Sequence, residues 1–310
     1  MTLCYVGVPG GLVLLSADDP GCHSSQNEQD NRIIARLAGM PVFEPASAQE
    51  AKDMMRDALA LSIATEQPVM LRTTTRVAHV RGPVRLEPLP GARKGPAFVK
   101  NPRRFVPIPA VARVRHGELL KKLAQIAEAV EKSPWNTVRG KGELGVIASG
   151  MARAYLADVL KEKDFAGKFK VMELGQTYPL PEKKLARFLK GLDKVLVVEE
   201  LEPLVENAVK ALAHDKGLDV KVLGKGEELP RTGEFSTANV RAALFRLRGR
   251  KPKTLPACAP AAEPLPMRPP NLCPGCSHRA AYYAVRQAFG GEAVYSSDIG
   301  CYTLGILPPL

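Results

Sequence analysis

Leu144-Gly145-Val146-Ile147-Ala148-Ser149-Gly150 is a continuous apolar run closed by a small polar residue and a glycine. A run this short, with β-branched residues at its centre and Gly at its end, reads as a strand covered on both faces. Working outward, helical spacing runs from Met151 to Lys161, then strand Lys170–Leu174, helix Lys183–Leu192, strand Lys194–Val198, helix Leu204–His214, strand Val220–Leu223 and helix Thr237–Leu247. Helix Leu119–Lys132 precedes the run. Strands alternating with helices specify an open, doubly wound α/β sheet over residues 118–249. Gly150 invites a nucleotide-loop reading, but neither the dinucleotide fingerprint nor a Walker sequence accompanies it, so it reads as a tight strand-to-helix turn. Glu199-Glu200-Leu201-Glu202, at the end of a strand and before a helix, is either a binding edge or a set of acids favoured by the helix dipole.

Upstream, Leu12-Val13-Leu14-Leu15-Ser16 reads as a buried parallel strand whose carboxyl end opens into the polar stretch Asp18–Asn31. Ser47-Ala48-Gln49-Glu50 has capping-box form, Ala51, Met54, Met55, Ala58, Leu59 and Ser62 continue at helical spacing, and Pro68-Val69-Met70-Leu71 returns as a strand. Residues 1–78 hold too few strands to cover both faces of a sheet, so they read as the later half of a doubly wound domain.

Charge is unevenly spread. The chain of 310 residues carries a net charge of +12, yet from Arg72 to Gly117 eleven Lys and Arg stand against the single acid Glu87, with seven prolines and only Phe98 and Phe105 as aromatics. Residues 79–117 therefore read as a basic, Pro-rich linker, solvated or docked on an acidic partner; they lack the stacking platforms of a single-strand binder, so nucleic acid is not the expected partner. A second Pro-rich linker, 250–270, separates the middle domain from the tail, 271–310. The N-terminal stretch has no basic segment, and its apolar run Gly11–Leu15 is too short to span a bilayer, so a cytoplasmic protein without a membrane segment is expected.

The tail carries Cys273-Pro274-Gly275-Cys276-Ser277-His278-Arg279, then a helical face of Ala280, Tyr283, Ala284, Gln287 and Ala288, a strand Ala293–Ser296, and Ser297-Asp298-Ile299-Gly300-Cys301-Tyr302-Thr303-Leu304-Gly305. C-x2-C spacing lets a tight turn bring two sulfurs to one side, and Cys301 offers a third ligand; no fourth follows. Iron–sulfur ligation, zinc and a metal-free structural role are the three readings. Cys4, Cys22 and Cys258 have no partner at chelating spacing and read as ordinary thiols.

On Arg268–Arg279 and Ser297–Gly305 the tail resembles the start of the thiamine-diphosphate domain of the indolepyruvate ferredoxin oxidoreductase alpha subunit. Ser16–Gly21, His23–Arg32 and Arg72–Val77 resemble the later part of that family's pyrimidine-binding domain, and the alternating middle resembles its transketolase C-terminal-like domain. The resemblance implies oxidative decarboxylation of aryl 2-oxoacids, indolepyruvate among them, to aryl acetyl-CoA with reduction of ferredoxin. It implies thiamine diphosphate, Mg2+ and an iron–sulfur cluster (4Fe-4S) as cofactors, with coenzyme A, ferredoxin and a smaller beta subunit as partners. Carried onto this chain, the cofactor-binding candidates are His278, Asp298, Gly300, Cys301, Tyr302 and Thr303, and the metal candidates are Cys273, Cys276 and Cys301. The loop His23, Ser24, Ser25 and Gln26 is placed on the substrate side. No segment resembles the part of the pyrimidine-binding domain that holds the thiamine-activating glutamate, nor the family's Gly-Asp segment for magnesium, so a fragment or split subunit, inactive alone, is expected. The alternatives are a basic, metal-stabilised binding module and a noncatalytic scaffold subunit.

Overall fold

The computed structural model describes residues 1–88, 91, 100–252, 266, 269–296 and 300–307, in two compact units, Met1–Lys253 and Thr254–Leu310. In the first unit, helix α1 (Thr2–Val6) leads into strand β1 (Val13–Asp18), α2 (Asn31–Ala38), β2 (Val42–Phe43), α3 (Ala48–Thr65), β3 (Val69–Thr74) and α4 (Thr75–His79). A short α5 (Pro102–Phe105) and the long α6 (Pro109–Val130) follow, then β4 (Asn136–Arg139), β5 (Leu144–Ser149), α7 (Ala152–Val159), β6 (Lys170–Leu174) and β7 (Gln176–Tyr178). The unit closes with α8 (Glu182–Leu189), β8 (Lys194–Val198), α9 (Leu204–Asp215), β9 (Lys221–Leu223) and α10 (Thr237–Leu247).

The strands β5, β6, β8 and β9 fall where the apolar runs place them and pair in parallel in the order β6-β5-β8-β9. Val146, Ala148 and Val198 pack on one face against α7 and α10, while Ile147, Val195 and Val197 pack on the other against α8 and α9, so the middle sheet is covered on both sides. One strand of this sheet was not anticipated: β4 adds antiparallel to β6 and makes the sheet five-stranded. An edge strand needs only one buried face and short polar residues suffice, so Asn136-Thr137-Val138-Arg139 gives no apolar signal.

The N-terminal sheet runs β1-β3-β2-β7. Its strands β1, β3 and β2 are parallel; β7 joins antiparallel to β2, with Val42 opposite Tyr178 and Phe43 opposite Gln176. Because β7 follows β6 directly, one piece of chain leaves the middle sheet and enters the N-terminal one. The step is made at Gly175, whose N–H meets Asn136 Oδ1 at 3.1 Å and Trp135 O at 2.8 Å; a Cβ there would strike Met54 and Trp135.

Three expectations are corrected. β1 is not a strand buried on both faces: it is a sheet edge, and Leu14 and Leu15 are 45% and 60% exposed. The basic segment is helical from Pro109, where the fixed φ of proline suits a first helical position, so α6 begins ten residues before Leu119. Nor does this segment float free, since Arg104 Nε and Arg115 Nη2 each donate to Val6 O at 3.1 Å and cap the end of α1. Ser47 Oγ does accept from Glu50 N at 3.2 Å, while the Glu50 carboxylate takes Ala46 N at 2.8 Å, one residue short of a capping box.

In the second unit the described residues form α11 (Ser277–Phe289) and a 3-10 turn, Cys301–Ile306. The strand expected at Ala293–Ser296 does not form; Val294 is almost fully exposed, with no neighbouring strand among the described residues to pair with. No residue of α11 is buried.

Candidate functional site

The C-x2-C turn forms as the sequence requires. Cys276 N donates to Cys273 O at 3.1 Å across Pro274 and Gly275, with Gly275 at φ 74, and Cys276 immediately precedes α11. His278, in the first turn of α11, lies with its ring centroid 4.4 Å from that of Tyr302. One turn later Tyr282 donates through its hydroxyl to Tyr302 O at 2.8 Å. Gly305 allows this contact, because a Cβ there would run into the Tyr282 ring. Gly300, at φ 134, starts the 3-10 turn, and Thr303 N donates back to Gly300 O at 3.2 Å. Thus His278, Tyr302, Gly300 and Thr303 come together on one side of α11. Asp298 lies outside the described residues, as does Cys258. Cys273 and Cys301 are exposed and Cys276 is half-buried; among the described residues no three His, Cys, Asp or Glu side chains gather into a metal-holding group, so the three cysteines are not assembled as ligands here.

The loop carrying His23, Ser24, Ser25 and Gln26 is organised by one carboxylate. Asp19 Oδ2 accepts from Ser24 N at 2.8 Å and Ser25 N at 2.9 Å, and its Oδ1 accepts from Thr75 Oγ1 at 2.6 Å. Burial works to raise the Asp19 pKa, but the Ser24 amide, the Thr75 hydroxyl and the Ser25 amide outweigh it and hold the carboxyl well below its usual range. His23 Nε2 sits 3.6 Å from Glu234, a residue also paired with Arg76. The loop is therefore a preorganised turn at the carboxyl end of β1, where open α/β sheets present ligand-binding loops.

A larger constellation escaped the sequence reading. Asp18 at the end of β1, Glu44 after β2, Arg72 in β3 and Glu199 after β8 meet Asp30 and Arg32 in one buried cluster. Arg32 donates to Asp30 Oδ2 at 2.6 Å, Glu199 Oε2 at 2.8 Å, Glu200 O at 2.9 Å and Glu202 O at 3.0 Å. Arg72 bridges Asp18 and Glu44. Burial raises the pKa of Asp30, yet Arg32 and Arg72 bring it down to about 2. The Glu199 carboxyl is pushed up by burial against the pull of Arg32 and of two amides at the start of α9, Val205 N and Glu206 N at 3.1 and 2.8 Å. Of the two readings of the acidic edge, Glu199 thus follows the helix-terminus one, and Glu200 accepts from Phe235 N at 2.9 Å. Lys225 lies beneath, its Nζ 4.7 Å from the Phe235 ring centroid; burial lowers its pKa to about 8. Beside the cluster, a cavity of about 150 Å3 is lined by Arg32, Arg36, Thr177, Tyr178, Leu180 and Val205.

No helix among the described residues is long and apolar enough to cross a membrane.

Residues 141–247 match the family model described as the indolepyruvate oxidoreductase domain. Over its full length the chain is 45% identical to the indolepyruvate oxidoreductase subunit IorA of Pyrococcus abyssi, covering 49% of that protein. It is 46% identical to the IorA subunit of Methanothermobacter marburgensis, again over the full chain, covering 51% of that protein. The chain thus spans about half the length of the curated relatives it matches. Among solved structures, 2-oxoglutarate:ferredoxin oxidoreductase from Magnetococcus marinus superposes with a TM-score of 0.54 over 79% of this chain and 50% of that one, at 13% identity, a likeness of fold.

Proposed function

We propose that this chain, similar along its whole length to indolepyruvate oxidoreductase subunits, is part of an enzyme that oxidatively decarboxylates aryl 2-oxoacids, indolepyruvate among them, to the aryl acetyl-CoA and passes the electrons to ferredoxin. The observation that carries this reading is the identity of 45–46% to IorA subunits along the whole chain. The fold agrees, since the solved 2-oxoglutarate:ferredoxin oxidoreductase shares it. Thiamine diphosphate supplies the carbanion-stabilising ring in such chemistry, with Mg2+ to hold its diphosphate. The tail residues His278, Asp298, Gly300, Cys301, Tyr302 and Thr303 are our candidates for contact with this cofactor. Support comes from the grouping of His278, Tyr302, Gly300 and Thr303 beside α11. For a 4Fe-4S cluster the described residues do not fit as they stand, because Cys301 is not gathered with Cys273 and Cys276. The His23–Gln26 loop, held by Asp19, is proposed for the substrate side. We further propose a cytoplasmic complex with a beta subunit, in which this chain is inactive alone.

The test is anaerobic purification of the complex containing this chain, followed by indolepyruvate- and coenzyme A-dependent reduction of a viologen dye. Activity with 2-oxoglutarate and none with aryl 2-oxoacids would sink the substrate assignment. In the same complex Cys276→Ala separates the metal readings: loss of iron supports ligation, and unchanged iron rejects it.

A further inference from the structure

The basic segment holds a feature that the proposed chemistry does not use. On α6, Arg113, Val114, Leu120 and Lys121 lie on one face around Gly117, at spacings of three and four residues. Val114 and Leu120 are 63% and 56% exposed. Ile108, just before the helix, is 55% exposed, and α5 beside it leaves Phe105 and Val106 exposed. Several surface cations elsewhere pair with acids, as Arg139, Lys183, Arg231 and Arg241 do with Glu173, Glu128, Glu202 and Glu162. Arg103, Arg113 and Lys121 have no such partner among the described residues, and the one acid of the segment from 100 to 121, Glu118, is taken by Arg115.

Gly117 is the third observation. It stands nine residues into a helix of 22, where glycine is a poor residue, and nothing among the described residues calls for it. Its φ is not in the left-handed region, and a Cβ would meet no atom within 4 Å. A glycine inside an exposed apolar stripe lets a second backbone come close, and helices approach most closely over small residues. Arginine, as at Arg113, is enriched at protein interfaces.

We propose that this face of α6 is a docking site for an acidic amphipathic helix of a partner protein. The partner's apolar stripe crosses at Gly117 against Val114 and Leu120, and its flanking carboxylates pair with Arg113 and Lys121. Nucleic acid fits less well, because the face offers apolar aliphatic area where a nucleic-acid site would present stacked aromatics or a wholly polar track. The site is independent of the oxidoreductase reading.

The experiment uses the full chain and, as probe, a fluorescent synthetic helix of about five turns with Leu along one face and Glu on both flanks. A scrambled peptide of the same composition and a DNA duplex serve as comparisons. The expected result is saturable binding of the patterned peptide, at least roughly tenfold tighter than the scrambled one. Gly117→Leu should raise the melting temperature and yet weaken binding by roughly tenfold, which a purely structural glycine would not do. Arg113→Glu with Lys121→Glu should weaken it likewise, whereas Lys190→Glu with Lys216→Glu, of equal charge change on other surfaces, should not. The proposal is overturned if the patterned peptide does not bind, if the scrambled peptide or the duplex binds as tightly, or if Gly117→Leu leaves binding unchanged.

Discussion

Arg32 reaches two carboxylates and two carbonyls while only 4% exposed, and its partners lie on both sides of the seam between the sheets. Removing one member of a buried ion pair leaves the others uncompensated, so Arg32→Ala should cost about 3–5 kcal/mol of stability in urea unfolding. A cost under about 1 kcal/mol would mean that the cluster is solvated in solution. Lys225 gives a pH test. Its pKa is about 8 in the fold, lowered first by burial, against about 10.4 unfolded. Between those values the unfolded chain binds the proton and the folded one does not, so Lys225 lowers stability most below pH 8 and the penalty disappears as pH rises toward 10.4. The stability difference between the wild type and Lys225→Met should therefore shift toward the wild type by about 1–3 kcal/mol across that window; a flat difference would place Lys225 in water. None of this was legible beforehand. Arg32 reads as the polar flank of a loop, and its partner Glu199 is 167 residues away.

Elements announced themselves where two-sided burial falls on a run of apolar residues. The run Leu144–Ser149 had no alternative to a covered strand, and β6 and β8 were delimited to the residue for the same reason. Short polar strands and exposed edges did not: β4 and β7 are short and polar, and β1 looked buried on both faces only because an apolar edge strand has the same composition as a central one. Ala293–Ser296 shows the converse, strand-forming residues with nothing among the described residues to pair with. In the tail the cysteine spacing and the helix were legible, while the place of Cys301 relative to the other two was not, since spacing fixes the turn between Cys273 and Cys276 and nothing further. Because α11 has no buried residue, its amides should exchange much faster than those of β5 and β8 in the isolated chain, measured by hydrogen exchange. Equal protection would show a core around α11.

For the first unit as a whole, the proposed division into residues 1–78 and 118–249 meets two ties across it. β7 is built into the N-terminal sheet, and Arg32, together with Arg153 donating to Glu44 O at 2.8 Å, links side chains from both parts. The two sheets should therefore unfold in one calorimetric transition with equal calorimetric and van't Hoff enthalpies. Two resolved transitions would show that the ties are weaker than either core. The pairing of β7 with β2 also bears on how a gene of this kind can be divided. The most permissive place for a break, by composition, is the proline-rich stretch after His79. A break there separates β2 from the strand that completes its sheet, so each product carries an orphaned hydrogen-bonding edge and the two must find each other again as separate polypeptides. Gene fission or module exchange at that point thus yields either an obligate pair or nothing that folds. The stretch easiest to cut in sequence is thus one whose cutting the architecture resists.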